Sequence, residues 1–254
     1  MAVLIDADNT QLPKIESVLH ELSAYGRIIV KKAYGNWKKQ ILSKWEDEIK
    51  RLAIKAEQQF DYVAGKNTTD IAMVIDAMDL LHTGMYDAVA LVSSDSDFTP
   101  LAVRLRESGM YVIGVGEKKT PEAFCNACDD FIYLEYLKSS EPKKQKKADK
   151  KSQKSTKKQD STVADSIDER DSDAPDIDEI HTLLRIAYEK YQDDDGFINV
   201  SSAGTYIKRV KPEFNTYLYG FQKLSDLIRA FPERYEIKRY PTNGNAGVVM
   251  YRCR

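Results

Sequence analysis

The stretch Leu91-Val92-Ser93-Ser94-Asp95-Ser96-Asp97-Phe98 begins in an apolar run, residues 88–92, and ends in small polar residues and two carboxylates. Thr99-Pro100 follows and predicts the start of a helix, because proline suits the first helical turn. This pattern is typical of a buried parallel strand, and α/β proteins build their sites at the carboxyl ends of such strands. We therefore expect Asp95 and Asp97 at the end of a central strand.

The start of the chain repeats the pattern, since Val3-Leu4-Ile5 is followed by Asp6-Ala7-Asp8-Asn9. If the two strands are parallel in one sheet, their acidic ends lie along one edge. Asp70 joins this set at a predicted helix start. Clustered carboxylates repel one another unless a cation neutralises them, and oxygen ligands suit Mg²⁺ or Mn²⁺. The alternative is that each aspartate is only a helix cap or turn residue.

Short apolar runs alternate with helical periodicity through residues 1–137, with strands predicted at 27–33 and 60–64 among others. This alternation predicts a three-layer α/β/α domain with a mostly parallel sheet. Residues 138–176 hold a lysine block and an acidic serine-rich run, which predict a disordered charged linker. Residues 177–254 predict three helices and a terminal hairpin, the pattern of a small winged-helix domain.

The formal net charge of the 254-residue chain is −2, but acidic and basic residues are unevenly distributed along it. Residues 1–137 carry 15 basic and 21 acidic side chains, whereas residues 179–254 carry 12 and 9. This distribution of charge fits an acidic first domain that depends on a metal and a basic C-terminal module that binds phosphates. The sequence shows neither a membrane-spanning run nor a signal peptide, and its three cysteines are few and odd in number. We therefore expect a cytoplasmic and bacterial protein without membrane partners.

Residues 2–137 resemble the NYN domains of the LabA-like group, relatives of the PIN ribonucleases. The resemblance rests on residues 4–9, 65–72 and 92–98, on the turn at 34–37 and on residues 112–116. It implies a PIN-like fold, a Mg²⁺ or Mn²⁺ site and cleavage of RNA. Four residues match the metal-binding and catalytic acids, and a fifth is the polar residue beside the first of them: Asp6, Asp70, Asp95, Asp97 and Asn9. Residues expected to support these ligands are Asp8, Asn67, Ser93 and Asp76.

Residues 177–254 resemble an OST-HTH (LOTUS) domain through Tyr219-Gly220-Phe221-Gln222-Lys223-Leu224 and the segment that follows. The resemblance implies binding of single-stranded or structured RNA, including G-rich RNA. Tyr219, Lys223 and Arg229 are the expected contacts, and whether Tyr217 and Tyr219 bind RNA or pack in the core stays open. A second basic and aromatic set near the first domain's site is a further candidate for RNA contact: Lys31, Lys32, Trp37, Lys38, Lys39 and Lys66. Its alternative is a solvated helix start with Trp37 packed beneath.

The function expected from these features is that of a metal-dependent endoribonuclease with an appended RNA-binding module. The first rival is a non-catalytic RNA-binding or regulatory adaptor that keeps the acidic pocket, and the second is a nuclease that acts on DNA. We expect no nucleotide cofactor, because Lys119 stands where a dinucleotide loop would need its third glycine after Gly114 and Gly116. A homo-oligomer is compatible with the sequence.

Overall fold

The computed structural model describes residues 1–60, 67–137, 176–240 and 247–254. The first part alternates strands and helices. The strands are β1 (Ala2–Asp6), β2 (Val30–Gly35), β3 (Lys55–Gln58), β4 (Ala88–Val92), β5 (Tyr111–Gly116) and β6 (Asp130–Tyr133). The helices are α1 (Ile15–Leu22), α2 (Trp45–Leu52), α3 (Thr68–Thr83), α4 (Thr99–Glu107) and α5 (Glu122–Ala127). Lys66 lies outside the described residues, and so does the linker predicted at 138–176 apart from its last residue.

The six strands form one parallel sheet in the order β3-β2-β1-β4-β5-β6. Strands β1 and β4 are neighbours, with Ile5 opposite Val92. The strand order reverses between these two strands, and this is where ligands bind in open α/β sheets. The register therefore brings Asp6, the last residue of β1, beside the segment that follows β4.

Helices cover both faces of this sheet, which confirms the predicted three-layer α/β/α fold. Helices α3, α4 and α5 cover one face with side chains such as Met73, Leu101 and Phe124. Helices α1 and α2 cover the other face with Ile15 and Trp45 among others. The central strands are buried on both faces, which explains why their sequences are continuous apolar runs.

Two strands differ in position from the sequence prediction. Strand β2 covers Val30–Gly35 instead of residues 27–33, because its pairing with β1 places Ala2 opposite Val30 and Asp6 opposite Tyr34. Strand β3 covers Lys55–Gln58, before the predicted residues 60–64, of which 61–64 lie outside the described part. It is an edge strand, Lys-Ala-Glu-Gln, without the run of large apolar residues that identifies the central strands.

The C-terminal part forms a helical domain with a small antiparallel sheet, as predicted. Its elements are α6 (Ile177–Tyr191), β7 (Ile198–Asn199), α7 (Val200–Val210), α8 (Leu224–Arg229), β8 (Tyr235–Tyr240) and β9 (Val248–Cys253). The strand order is β7-β9-β8. Leu184, Ile207, Leu227 and Tyr251 are fully buried and form the centre of its core. No helix among the described residues has the length and apolar character needed to cross a membrane.

The close packing of β5 on β6 gives a test of this fold. A Cβ atom at Gly114 would lie 2.4 Å from Cδ2 of Phe131 and 2.8 Å from Sγ of Cys128. We expect Gly114→Ala to lower the free energy of unfolding by about 1–3 kcal/mol, because overpacking a tight core forces its neighbours to move. Thermal unfolding followed by circular dichroism measures the effect.

The matched control is Gly204→Ala in α7. Its new Cβ would meet Leu224 Cδ2 at 3.4 Å, which is ordinary contact, and alanine favours a helix by up to about 1 kcal/mol over glycine. This variant should unfold at an unchanged or higher temperature. Equal melting of Gly114→Ala and wild type would contradict the packing described for β5 and β6.

Candidate metal centre at the strand ends

Asp6 ends β1 as a buried carboxylate with an exposed fraction of 1%. Its Oδ2 accepts hydrogen bonds from Ser93 Oγ (2.8 Å) and Asn9 Nδ2 (2.9 Å), and its Oδ1 accepts one from the backbone N–H of Asn9 (3.2 Å). Burial raises the pKa of Asp6, while the bonds from Asn9 and Ser93 oppose that shift. Asp6 is therefore held in one orientation by both acidic segments of the site.

The segment after β4 turns sharply and directs two more carboxylates to the same edge. The Asp95 N–H donates to Ser93 Oγ (3.1 Å), and the Asp95 carboxylate caps a 3-10 helix at Ser96–Phe98 by accepting the Asp97 N–H (2.9 Å). Phe98 anchors the turn in the core. Ser94 Oγ accepts the N–H of Glu117 (2.8 Å), which joins the turn to the end of β5. The turn thus leaves Asp95 partly exposed and Asp97 exposed.

The start of α3 completes the acidic group. Asn67 Nδ2 donates to Asp97 Oδ2 (3.0 Å), and Thr69 Oγ1 donates to Asp8 Oδ2 (3.2 Å). Asp70 lies in the first helical turn and is partly buried. Sequence reasoning missed Thr69 and Ser94, although both lie beside the acids in the two motifs, where short hydroxyl side chains commonly bond to neighbouring polar groups.

The electrostatics of the site follow from this crowding. Burial, and then the charges of the neighbouring carboxylates, raise the pKa of Asp70 to about 6. The neighbours that act on it are Asp6, Asp95, Asp8 and Asp97. Lys39 Nζ lies 3.4 Å from Asp8 Oδ1 at the rim. Like charges this close disfavour ionisation, and a bound cation would relieve the repulsion.

This donor set fits a hard divalent cation in its chemistry, because Mg²⁺ and Mn²⁺ prefer carboxylate oxygens and keep several waters. The carboxylates are farther apart than they would be in a closed metal site. Within the described residues, no three histidine, cysteine or acidic side chains converge closely enough to form a ready-made metal cage. A cation would be held by carboxylates of this group together with solvent.

Other candidates in the first domain lie in different surroundings. Asp76 Oδ2 contacts Lys32 Nζ (2.5 Å) and the Tyr34 hydroxyl, and Lys32 also lies 3.7 Å from Glu57. The structure therefore places Asp76 and Lys32 together in a partly buried ion pair. Lys31 Nζ donates to the carbonyl of Leu52 (2.5 Å).

Trp37 packs into the layer formed by α1 and α2, as its alternative interpretation expected. Its Nε1 donates to the Glu57 carbonyl (3.1 Å), and its ring lies 6.1 Å from that of Trp45. Lys38 Nζ lies 4.9 Å from the centre of the Phe60 ring. Among the described residues of this basic set, Lys39 contacts Asp8 of the acidic group.

In the C-terminal domain the three expected RNA contacts differ in exposure. The Tyr219 ring packs 6.0 Å from that of Phe214 and against the core, and its hydroxyl is buried without a hydrogen-bond partner among the described residues. Arg229 pairs with Asp226 (3.2 Å) on the surface. Lys223 is exposed at the start of α8.

Comparison with known proteins identifies the domain that carries the acids. The sequence profile of the NYN domain matches residues 1–135, more than half of the chain. The chain belongs to the NYN-domain family. The profile of the OST-HTH/LOTUS domain matches residues 176–246. The NYN domain has a nuclease-like fold, and the OST-HTH domain suggests RNA binding.

The NYN region also has relatives among individual proteins. An uncharacterized protein of Methanocaldococcus jannaschii is 28% identical to this chain over 123 residues. The matched region is 46% of this chain and 47% of the relative, so the chain spans about half the length of that curated relative. A crystal structure of a protein of unknown function from Vibrio parahaemolyticus covers 52% of this chain and 90% of its own at 18% identity and a TM-score of 0.43. An NMR structure of an uncharacterized Nitrosomonas europaea protein matches 41% of this chain and 92% of its own chain, with 24% identity and a TM-score of 0.27.

The charge crowding in the NYN domain predicts a stabilising substitution. The folded pKa of Asp70, about 6, lies above its ordinary value of 3.8. The native state therefore binds the proton more tightly, and stability falls as the pH rises through this range. In EDTA at pH 7.5, Asp70→Asn should raise the free energy of unfolding by roughly 1 kcal/mol, after allowance for solvent screening.

The control is Asp79→Asn, an exposed position on the same helix. Melting temperatures at pH 5 and 7.5 measure both variants against wild type. The gain of Asp70→Asn should shrink at pH 5, where much of the native Asp70 is protonated. A gain that is equal at both pH values, or equal in Asp79→Asn, would contradict the electrostatic explanation.

Proposed function

We propose that the NYN domain hydrolyses RNA phosphodiesters with Mg²⁺ or Mn²⁺ as its cofactor. The observation that supports this most directly is that Asp6 ends β1 beside the acidic turn after β4, and Asn67 before α3 donates to Asp97 of that turn. The strand order reverses at this point, and Asp70 lies in the first turn of α3. Carboxylates on separate elements suit a cation that must also leave positions open for water and phosphate. Within the family, assignment to the LabA-like group is part of the same proposal.

The ligands proposed for the cation are Asp6, Asp70, Asp95 and Asp97. When bound, the metal would supply an activated water and neutralise the charge that develops on the phosphate. The chain's own residues set the geometry. Asn9 and Ser93 fix the Asp6 carboxylate, and Asn67 holds Asp97 at the exposed rim, where the phosphate would arrive. Asp8, held by Thr69 and Lys39, supports the group from the side.

The OST-HTH domain is proposed to bind the RNA, single-stranded or structured and G-rich sequences included. The acids of the NYN domain repel phosphate in the absence of metal, so affinity must come from cationic and aromatic groups elsewhere. Lys223 and Arg229 supply charge on the C-terminal domain. Tyr219 would act mainly by packing, because its hydroxyl is buried. A cytoplasmic location is consistent with this role.

The competing proposal is a non-catalytic RNA-binding adaptor. One observation favours it: the acidic side chains, as they stand in the described chain, do not form a closed metal cage. In that case the acidic pocket would serve to bind a cation or a partner without cleaving RNA. The two proposals share the RNA-binding domain and differ only in whether phosphodiester bonds are broken.

Cleavage and binding assays on the same preparations separate the two. The purified chain of residues 1–254 is incubated with single-stranded RNA or DNA in Mn²⁺, Mg²⁺ or EDTA, and gel shifts measure binding. We expect cleavage of RNA with metal, and Asp6→Asn and Asp97→Asn should each lose at least about tenfold in rate while keeping RNA affinity.

Asp79→Asn is the control, because it removes an exposed charge from the same domain without touching the acidic group. It should cleave like wild type. Tight RNA binding by wild type with no cleavage in either metal would replace the nuclease proposal by the adaptor. Cleavage of DNA alone would overturn the assignment of RNA as substrate.

A further inference from the structure

The two domains contact each other along β6, and a buried carboxylate lies at the centre of this contact. Asp130 has an exposed fraction of 3%. Its Oδ2 accepts hydrogen bonds from the Tyr25 hydroxyl (2.5 Å) and from Lys208 Nζ of the C-terminal domain (2.7 Å). The Phe131 N–H donates to the Pro212 carbonyl (3.1 Å), so the backbones of the two domains also meet.

This contact fixes the relative position of the two domains. The Asp130 carboxylate is buried and Lys208 is half-exposed, so loss of Lys208 would leave a buried charge without its ion-pair partner. Strand β6 is also an edge of the sheet, and the docked domain covers part of that edge. The OST-HTH domain is therefore held at one place beside the NYN domain.

A cleft of about 410 Å³ opens at this junction and is lined by aromatic rings from both domains. The NYN domain contributes Tyr25, Phe131, Tyr133 and Tyr136, and the OST-HTH domain contributes Phe214 and Tyr217. Rings 131, 133 and 136 form a continuous wall, with centres 5.1 and 6.1 Å apart in edge-on contacts. Of the lysines that line the cleft, Lys223 is exposed and Lys208 is paired with Asp130, while Glu21 adds a negative charge to the lining.

The two rings at the rim are open to solvent, since Tyr25 is 38% and Tyr217 is 46% exposed. Tyr217 is held in place by its backbone N–H, which donates to Asn215 Oδ1 (3.0 Å). With its backbone fixed, Tyr217 has only the two torsions of its side chain to order when its ring stacks. Tyr25 is similarly fixed through its bond to Asp130.

We propose that this junction cleft takes up an unpaired base of single-stranded RNA. The inference rests on the proposed RNA-directed function and extends it with a second binding element formed only when the domains are docked. Aromatic side chains stack on unpaired bases of any sequence, and the exposed Lys223 is placed to neutralise an adjoining phosphate. Duplex RNA is excluded, because its bases are already stacked inside the helix.

The position of the cleft suits delivery to the acidic site. Tyr133 and Tyr136 lie at the carboxyl end of β6, the same edge of the sheet that carries Asp6 and Asp95. Strand β6 is two strands from β4, which corresponds to about 10 Å at ordinary strand spacing. The part of the cleft lined by Tyr133 and Tyr136 therefore lies at the sheet edge that carries the acids, whereas Tyr25 lies beside Asp130 at the amino end of β6.

The test uses the full chain in EDTA, so that RNA is bound and not cut. The ligand is a fluorescein-labelled single-stranded RNA for anisotropy and the same RNA with one 2-aminopurine, whose fluorescence falls when the base stacks. Tyr217→Ala should weaken binding roughly five- to a hundredfold, the loss of one base–aromatic stack, and reduce the 2-aminopurine quenching. Tyr217→Phe should retain both.

The matched control is Tyr191→Ala, which removes a tyrosine of similar exposure (49%) from the same domain outside the cleft. It should bind like wild type. Tyr217→Leu keeps an apolar side chain and tests the ring itself if the alanine variant fails to fold. Thermal unfolding shows which variants are folded.

The outcomes separate this inference from the proposed function. Wild-type affinity and quenching in folded Tyr217→Ala and Tyr217→Leu would overturn the cleft and leave the RNA-binding proposal standing. Equal loss in Tyr191→Ala, or Tyr217-dependent binding of the annealed duplex, would also overturn it. Absence of RNA binding by wild type would overturn the proposed function and, with it, this inference.

Discussion

The hydrogen bond from Ser93 to Asp6 joins the ends of the two central strands, and the acidic site depends on it. The parallel register of β1 and β4 brings these residues together, and both are almost completely buried. Ser93 also accepts the N–H of Asp95 and so sets the turn that carries the next two acids. The Ser93 hydroxyl thus links the buried Asp6 carboxylate to the start of the exposed acidic turn. Burial of Asp70, and then the charges of the neighbouring carboxylates, raise the pKa of Asp70.

The chain divides its charge between two domains that the structure holds together. The NYN domain concentrates carboxylates at one sheet edge, where they favour cations and repel free phosphate. The C-terminal domain is mildly basic and docks through Lys208 on Asp130, at the opposite edge of the sheet from β3. In the proposed function, binding and cleavage are therefore served by different surfaces, and the docking contact sets the distance between them.

The sequence was sufficient for the central strands and the placement of their acids, because buried parallel strands are apolar runs that end abruptly in polar residues. It was insufficient for β3, an edge strand whose sequence carries no such signal. It was also insufficient for the start of β2, because that position is determined by pairing with β1. The Lys32–Asp76 pair and the Asp130–Lys208 pair join residues 44 and 78 positions apart. Such pairs depend on tertiary packing, so periodicity and motif spacing could not reveal them.

In the proposed function, the carboxylates at the strand ends bind a divalent cation. The sharpest test is calorimetric titration of Mn²⁺ into the metal-free chain of residues 1–254, with Asp95→Asn and the exposed Asp79→Asn compared with wild type. We expect saturable binding in wild type and Asp79→Asn, and its loss in a folded Asp95→Asn protein. Unchanged Mn²⁺ affinity in Asp95→Asn, or no binding by wild type, would contradict it.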